Sequence, residues 1–150
     1  MRVVIQRVTE ASVLINGNEN RTIGKGLMIL IGIEHADSTE DIEWLCGKIS
    51  KIRIFNDADD IMNLSIQDVD GDILLISQFT LHASTKKGNR PSYISAARSE
   101  QAIPMYEQFI ATLENELNKK VVTGKFGADM KVSLVNDGPV TIIIDSKGKE

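Results

Sequence analysis

The chain has 150 residues, 42% of them hydrophobic and 25% charged, and a formal net charge of −4. That balance fits one globular domain with a real core; it excludes a disordered chain and one that coats nucleic acid by bulk electrostatics, though a local basic surface can still hold a single RNA end. A lone cysteine, Cys46, excludes an internal disulfide, and with only His35 and His82 beside it no zinc-like ligand spacing exists, so neither a metal nor a cofactor is expected. The opening Met1-Arg2-Val3-Val4-Ile5-Gln6-Arg7 has neither the long apolar stretch nor the cleavage site of a signal peptide. No apolar run reaches the roughly 18 residues of a membrane span, so the expectation is a soluble cytoplasmic protein without membrane contact. Residues 3–15 are strand-forming, and Asn16-Gly17 is the dipeptide that favours a type I′ hairpin turn. The strand expected to follow is 26–33, whose near-continuous apolar run predicts burial on both faces.

Ser38 suits an N-cap, and Ile42, Leu45, Cys46, Ile49 and Ile52 follow at helical spacing. Asp70-Gly71 separates 62–66 from 73–77 and predicts a second hairpin, whose later arm runs into Gln78-Phe79-Thr80. Lys86-Lys87-Gly88-Asn89-Arg90-Pro91 is an exposed loop. A second helix carries Met105, Phe109, Leu113 and Leu117 on one stripe, with Pro104 tolerated near its first turn. Strands over 131–135 and 140–144 are joined through Asn136-Asp137-Gly138-Pro139, and 146–150 is a frayed tail. The fold class is α+β: largely antiparallel, barrel-like sheets covered by two main helices, in one domain over residues 1–150.

Ser77, Gln78 and Thr80 place three hydrogen-bonding side chains around Phe79 at the end of a buried strand. A strand end fixes backbone N–H groups, which is what an ester's developing oxyanion requires, although the same groups also serve to satisfy local backbone. Gly138-Pro139 stands where an ordinary hairpin would carry Asn-Gly and is, from pattern alone, a rigid turn. Arg7 is a charge inside an apolar strand, in pattern equally a snorkelling surface side chain. His82 and His35 invite a Ser-His-Asp triad with Ser77, but the sequence supplies no geometry for one.

Ser77-Gln78-Phe79-Thr80-Leu81, followed by Gly88-Asn89-Arg90-Pro91-Ser92, and Asn136-Asp137-Gly138-Pro139-Val140-Thr141, preceded by Phe126-Gly127-Ala128-Asp129-Met130, occur in this order and spacing. With the Met1 to Val8 opening they resemble the D-aminoacyl-tRNA deacylases (D-tyrosyl-tRNA deacylases) across essentially the whole chain. Two departures are mild: His82 follows Leu81 where the family more often has another residue, and Tyr93 stands where it has phenylalanine.

The resemblance implies a homodimer with active sites at the subunit interface, Ser77 to Leu81 of one subunit facing a cis Gly138-Pro139 of the other. It implies hydrolysis of the ester in D-aminoacyl-tRNA, and in glycyl-tRNA mischarged on tRNA-Ala, with L-aminoacyl esters rejected. The Gly138 and Pro139 carbonyls would receive the substrate's α-ammonium group and leave no room for an L side chain. The Phe79 N–H is the candidate oxyanion donor, with Ser77 and Gln78 shaping a pocket for the terminal adenosine. Thr80 has no evident histidine or lysine to activate it, so it is taken to position a water aided by the RNA's own 2′-hydroxyl. Arg7 would brace the Gly-Pro segment, Met130 would line the pocket, or simply fill core, and Lys86, Lys87 and Arg90 would hold tRNA phosphates or form a plain solvated loop. Alternatives are an esterase for small D-amino-acid esters and a non-enzymatic nucleic-acid-binding module.

Overall fold

Strand β1 (Arg2–Ile15) organises the molecule, which a computed structural model describes over residues 1–149. Both edges of this strand are used. One edge pairs antiparallel with β3 (Gly26–Gly32) over its first half and with β2 (Glu19–Ile23) over its second, while the other edge pairs antiparallel with β8 (Met130–Asp145). Asn16 and Gly17 turn the chain from β1 into β2 with φ of 50° and 73°, as the Asn-Gly pair requires. The strand after this turn is therefore β2, not the expected 26–33, which comes one strand later as β3. Only Ile23 of β2 is buried, so hydrophobic periodicity carries no trace of it.

The sheet continues through β6 (Asp72–Ser77), parallel to β3, and β7 (Val122–Thr123), parallel to β6. The expected hairpin at Asp70-Gly71 does not form. Instead β5 (Met62–Leu64) turns back on β4 (Phe55–Asn56), and Asp70-Gly71 only delivers the chain to β6. Parallel neighbours need long crossovers, and each helix supplies one: α1 (Thr39–Lys51) lies between β3 and β6, and α2 (Ser99–Leu117) between β6 and β7. The result is a mixed sheet that is largely antiparallel, as expected, with parallel pairing confined to β3, β6 and β7. It is nearly closed into a barrel, with Arg21 of β2 donating to the Thr123 carbonyl of β7 at 2.7 Å.

Alternation within the central strands splits the interior in two. Leu27, Ile29 and Ile31 of β3, with Ile73 and Leu75 of β6, face the helices, while Met28, Leu74 and Ile76 join Val13, Ile15 and Ile23 in a second cluster. Against the first cluster α1 buries Ile42, Leu45, Cys46 and Ile49 behind an N-cap at Ser38. Helix α2 buries Ala102, Tyr106, Phe109 and Leu113, so its inner stripe starts earlier than the predicted Met105. Pro104 lies inside α2 rather than in its first turn, and its ring is accommodated there without ending the helix. Among the described residues no helix is long and apolar enough to cross a membrane.

The tail expected to fray is tied down at its start: Ser146 is buried and donates its N–H to the Met1 carbonyl at 2.9 Å. Lys147 Nζ donates to Asp41 Oδ2 at 2.8 Å, and Glu150 lies outside the described residues. Burial alone would raise the Asp41 carboxyl, but hydrogen bonds from Lys147, Ser146 and Ser38 outweigh it and hold the group below the usual carboxylate range. A depressed folded value means that Asp41 stabilises the fold fully above its unfolded value, about 4, and that this contribution is lost as pH falls through the folded value. Removing the ammonium with Lys147→Met is expected to destabilise the fold at pH 7. Urea unfolding of both proteins from pH 7 down to pH 2 should show the gap narrow toward the acid end; a gap independent of pH would assign the effect to the lysine's aliphatic stem.

Candidate active site

Strand β6 ends at Ser77, opposite Ile31, and the Gln78 N–H makes one more sheet-like bond to the Ile31 carbonyl at 2.7 Å. Gln78 then leaves the strand conformation (φ −147°, ψ 86°), and Phe79–His82 forms a single 3₁₀ turn. Gly32 makes room for that turn, because a Cβ there would stand 2.9 Å from the Leu81 Cβ and 3.1 Å from the Gln78 carbonyl oxygen. Arg2 fastens the turn from the other side, with Nη1 donating to the Leu81 carbonyl at 2.7 Å and Nε to Asp145 Oδ2 at 2.9 Å. Arg2 lies in the quoted Met1 to Val8 opening, but its fastening role emerges only once the 3₁₀ turn and β8 stand beside each other.

Two consequences for chemistry follow from this turn. The first N–H groups of a helical turn have no partner within it, and among the described residues the Phe79 N–H has no acceptor. Gln78 Nε2 donates to Thr80 Oγ1 at 2.6 Å, which orients the hydroxyl. Ser77, Gln78 and Phe79 open onto a cavity of about 310 Å³ walled by Ile31, Ile33, Ile76, Ala128, Met130 and Val132 among others. Its walls are apolar and its polar groups sit at one end, the usual character of a small-molecule site. The walls from β3 and from 126–132 belong to distant parts of the chain; Phe126, Gly127, Ala128 and Met130 belong to the quoted sequence motifs, whereas Ile31, Ile33 and Val132 do not.

The second motif is not a turn between two strands. Residues 131–135 and 140–144 belong to one strand, β8, both halves of which pair with β1 in the same direction. Gln6 pairs with Thr141 and Val8 with Asn136, so one residue of β1 faces four of β8, and Asp137 to Val140 bulge out of the ladder. The Gly138-Pro139 peptide is cis, and Gly138 has a φ of +124°, a region that disfavours any side chain. Arg7 occupies the space beneath. Its guanidinium donates from Nε to the Asp137 carbonyl at 3.0 Å and from Nη1 to the Ile54 carbonyl at 2.7 Å and Asn56 Oδ1 at 3.1 Å. Nη2 lies 3.0 Å from where a Gly138 Cβ would be. Arg7 is 7% exposed, a buried brace and not a snorkelling side chain, while Gly138 and Pro139 are exposed.

Within one chain the two motifs stand apart. Strand β8 lies three strand spacings from β6, and Arg7 is opposite Leu27 where Ser77 is opposite Ile31. At about 4.8 Å per strand and 3.3 Å per residue this amounts to roughly 19 Å. Neither Gly138 nor Pro139 lines the 310 Å³ cavity. Lys86, Lys87 and Arg90 are exposed on a loop closed by the Ser84–Ser92 bridge, and none of them is ion-paired among the described residues. His82 is buried with Nε2 lacking any partner among the described residues, so no Ser77-His82-Asp relay exists. No three His, Cys, Asp or Glu side chains converge as a metal site among the described residues.

The family model described as D-Tyr-tRNA(Tyr) deacylase matches residues 4–145. The D-aminoacyl-tRNA deacylase of Flavobacterium johnsoniae is 65% identical over 150 residues, 100% of both chains, and that of Bacteroides fragilis is also 65% identical over 150 residues, again 100% of both. Among solved structures, the c-Myc DNA unwinding element binding protein superposes with a TM-score of 0.90 at 39% identity, over 97% of this chain and 98% of its own. A probable eukaryotic D-amino acid tRNA deacylase superposes at 0.82 and 16% identity, over 95% of this chain and 97% of its own, which shows the shared fold. With a family match over nearly its whole length and relatives this similar from end to end, the chain belongs to the D-Tyr-tRNA(Tyr) deacylase family.

Proposed function

We propose that this protein, as a single domain over residues 1–150, is a D-aminoacyl-tRNA deacylase that hydrolyses the ester between a D-amino acid and the tRNA 3′ end in the cytoplasm. The observation that carries the reading is the outward-turned Gly138-Pro139 bulge, held from beneath by the buried Arg7 guanidinium. Such a rigid, side-chain-free rim offers backbone carbonyls to an α-ammonium group while it closes off the position an L side chain would take. Because it examines only the arrangement around Cα, D-residues of many kinds pass, as does glycine, including glycine mischarged on tRNA-Ala. A thousandfold preference over the L ester asks for about 4 kcal/mol of differential transition-state binding.

The site is completed in a homodimer. Motifs roughly 19 Å apart in one chain cannot act on one ester, and β8 presents a 16-residue strand that pairs only with β1 among the described residues. An open edge of that length, with Val135 and Ile143 exposed on it, is suited to burial against a second copy. The partner's Gly138-Pro139 then faces Ser77 to Thr80. There the unpaired Phe79 N–H supports the oxyanion, Ser77, Gln78 and Met130 receive the terminal adenosine, and Thr80 positions the attacking water with the RNA's 2′-hydroxyl as its aid. Thr80 accepts from Gln78, and no histidine or lysine is hydrogen-bonded to it among the described residues, so it has no base to make it a nucleophile.

A second reading, a nucleic-acid-binding module, draws on the name of the structure that superposes at 0.90. A net charge of −4 and an apolar cavity beside an unpaired N–H favour turnover over simple binding. Purified protein is expected to hydrolyse D-tyrosyl-tRNA and leave L-tyrosyl-tRNA intact. Gly138→Ala, whose methyl meets Arg7, should lower the D rate by at least about tenfold; equal hydrolysis of both esters would point to a general esterase, and none to the binding module. If Lys86, Lys87 and Arg90 each neutralise a phosphate, replacing all three with glutamine should flatten the log-log salt dependence of tRNA binding by about 2. An unchanged slope would leave the loop merely solvated.

A further inference from the structure

Beside the cavity mouth lies an aromatic surface that hydrolysis of an ester does not call for. Phe79 lines the cavity and yet is 54% exposed, and its ring meets that of Tyr93 edge to face, with centroids 5.1 Å apart and planes at 72°. Tyr93 is 39% exposed and its neighbour Ile94 is 84% exposed. The segment that carries them is fixed at both ends, by the Ser84–Ser92 bridge on one side and by the Glu34–Ala96 bridge and the Ala97 N–H to the Ile33 carbonyl (2.9 Å) on the other. This strap thus holds the Tyr93 ring partly open to solvent against Phe79 of the 3₁₀ turn, despite the tendency of large apolar side chains to be covered. Past Tyr93 the same strap leads to the loop of Lys86, Lys87 and Arg90, whose charges are unpaired among the described residues.

We infer that Phe79 and Tyr93 form a stacking platform for the base of the nucleotide immediately 5′ of the terminal adenosine. This rests on the deacylase reading of the cavity. A strand of RNA whose last nucleoside fills the cavity can leave across the half-exposed Phe79, and the cations of the 86–90 loop, joined to Tyr93 through Ser92, are then available to the next phosphates. An aromatic surface in line with a cationic one is how proteins hold single-stranded nucleic acid irrespective of base, each stacked base contributing enough to change affinity several-fold to a hundredfold. The occupant is therefore unpaired RNA rather than a second protein copy: an aromatic pair at the cavity, joined in the chain to a loop with three cations that are not ion-paired among the described residues, has polynucleotide complementarity, whereas the open edge of β8 is the surface suited to a copy of this chain.

The test compares two substrates, D-tyrosyl-tRNA and the D-tyrosyl ester of adenosine alone, which lacks the preceding nucleotide. In Tyr93→Ala the ratio of kcat/KM for the tRNA to that for the nucleoside ester is expected to fall about tenfold, through KM, and in Tyr93→Trp to return to the wild-type ratio. An equal loss on both substrates would reduce Tyr93 to a prop for Phe79, and an unaltered ratio would exclude the stack; either overturns the inference while the deacylase reading stands. A Tyr93→Ala protein that sediments as a monomer where the wild type is dimeric would assign the patch to a subunit contact instead. If wild-type protein cleaves neither D ester, the deacylase reading fails first.

Discussion

A single buried guanidinium governs how the sheet is built. Arg7 sits where β1 and β8 lose register, and its contacts reach the Asp137 carbonyl, the Ile54 carbonyl and Asn56, so it ties the bulge of β8 to the chain entering β4. Leaving a buried cation without its acceptors would be strongly unfavourable, which locks all three segments to one arrangement. Around it β1 changes face. Val3 and Ile5 point to the helices, whereas Val8, Ala11, Val13 and Ile15 point into the second cluster, a reversal made possible by the irregularities on either side of Val8. The same irregularity thus divides the interior and projects the Gly138-Pro139 rim.

The cavity end of the molecule follows a complementary logic. There the sheet stops rather than bulges. Parallel β3 and β6 finish together, Gln78 takes the last carbonyl of the ladder, and Gly32 lets the 3₁₀ turn fold down against the strand end. Backbone rigidity is borrowed from the doubly buried strands and delivered to the Phe79 N–H, which has no acceptor among the described residues. One motif is therefore a fixed donor and the other a fixed wall, each positioned by a different failure of regular pairing.

Much of this is legible in the sequence where a local rule suffices. Asn16-Gly17, the Ser38 cap and the two-faced burial of the strand after Gly26 follow from turn chemistry, capping and periodicity. Partner choice does not. Asp70-Gly71 is turn-forming whether it joins two paired strands or, as here, merely redirects a chain whose neighbours are β4 and β3, and β2 is too polar to register at all. Gly138-Pro139 has a turn's composition inside a continuous strand because the opposing Arg7, 131 residues earlier, absorbs the excess chain. For the same reason the motif residues, Phe126 among them, are visible in sequence, whereas the fastening role of Arg2 and the walls at Ile31, Ile33 and Val132 emerge only through the packing that gathers them.

The pairing of β1 with β8 also dictates when the protein can acquire its structure. Strand β1 is flanked along one edge by β8, so residues 2–15 wait for 130–145 before their hydrogen bonds are complete. Contacts so distant along the chain carry a large loop-closure cost and slow the search for the native state. During synthesis β1, β2, β3 and α1 can gather early, but a waiting strand edge stays open until residues 130–145 have been made, and that interval is when a nascent chain of this architecture is most exposed to pairing with the wrong neighbour.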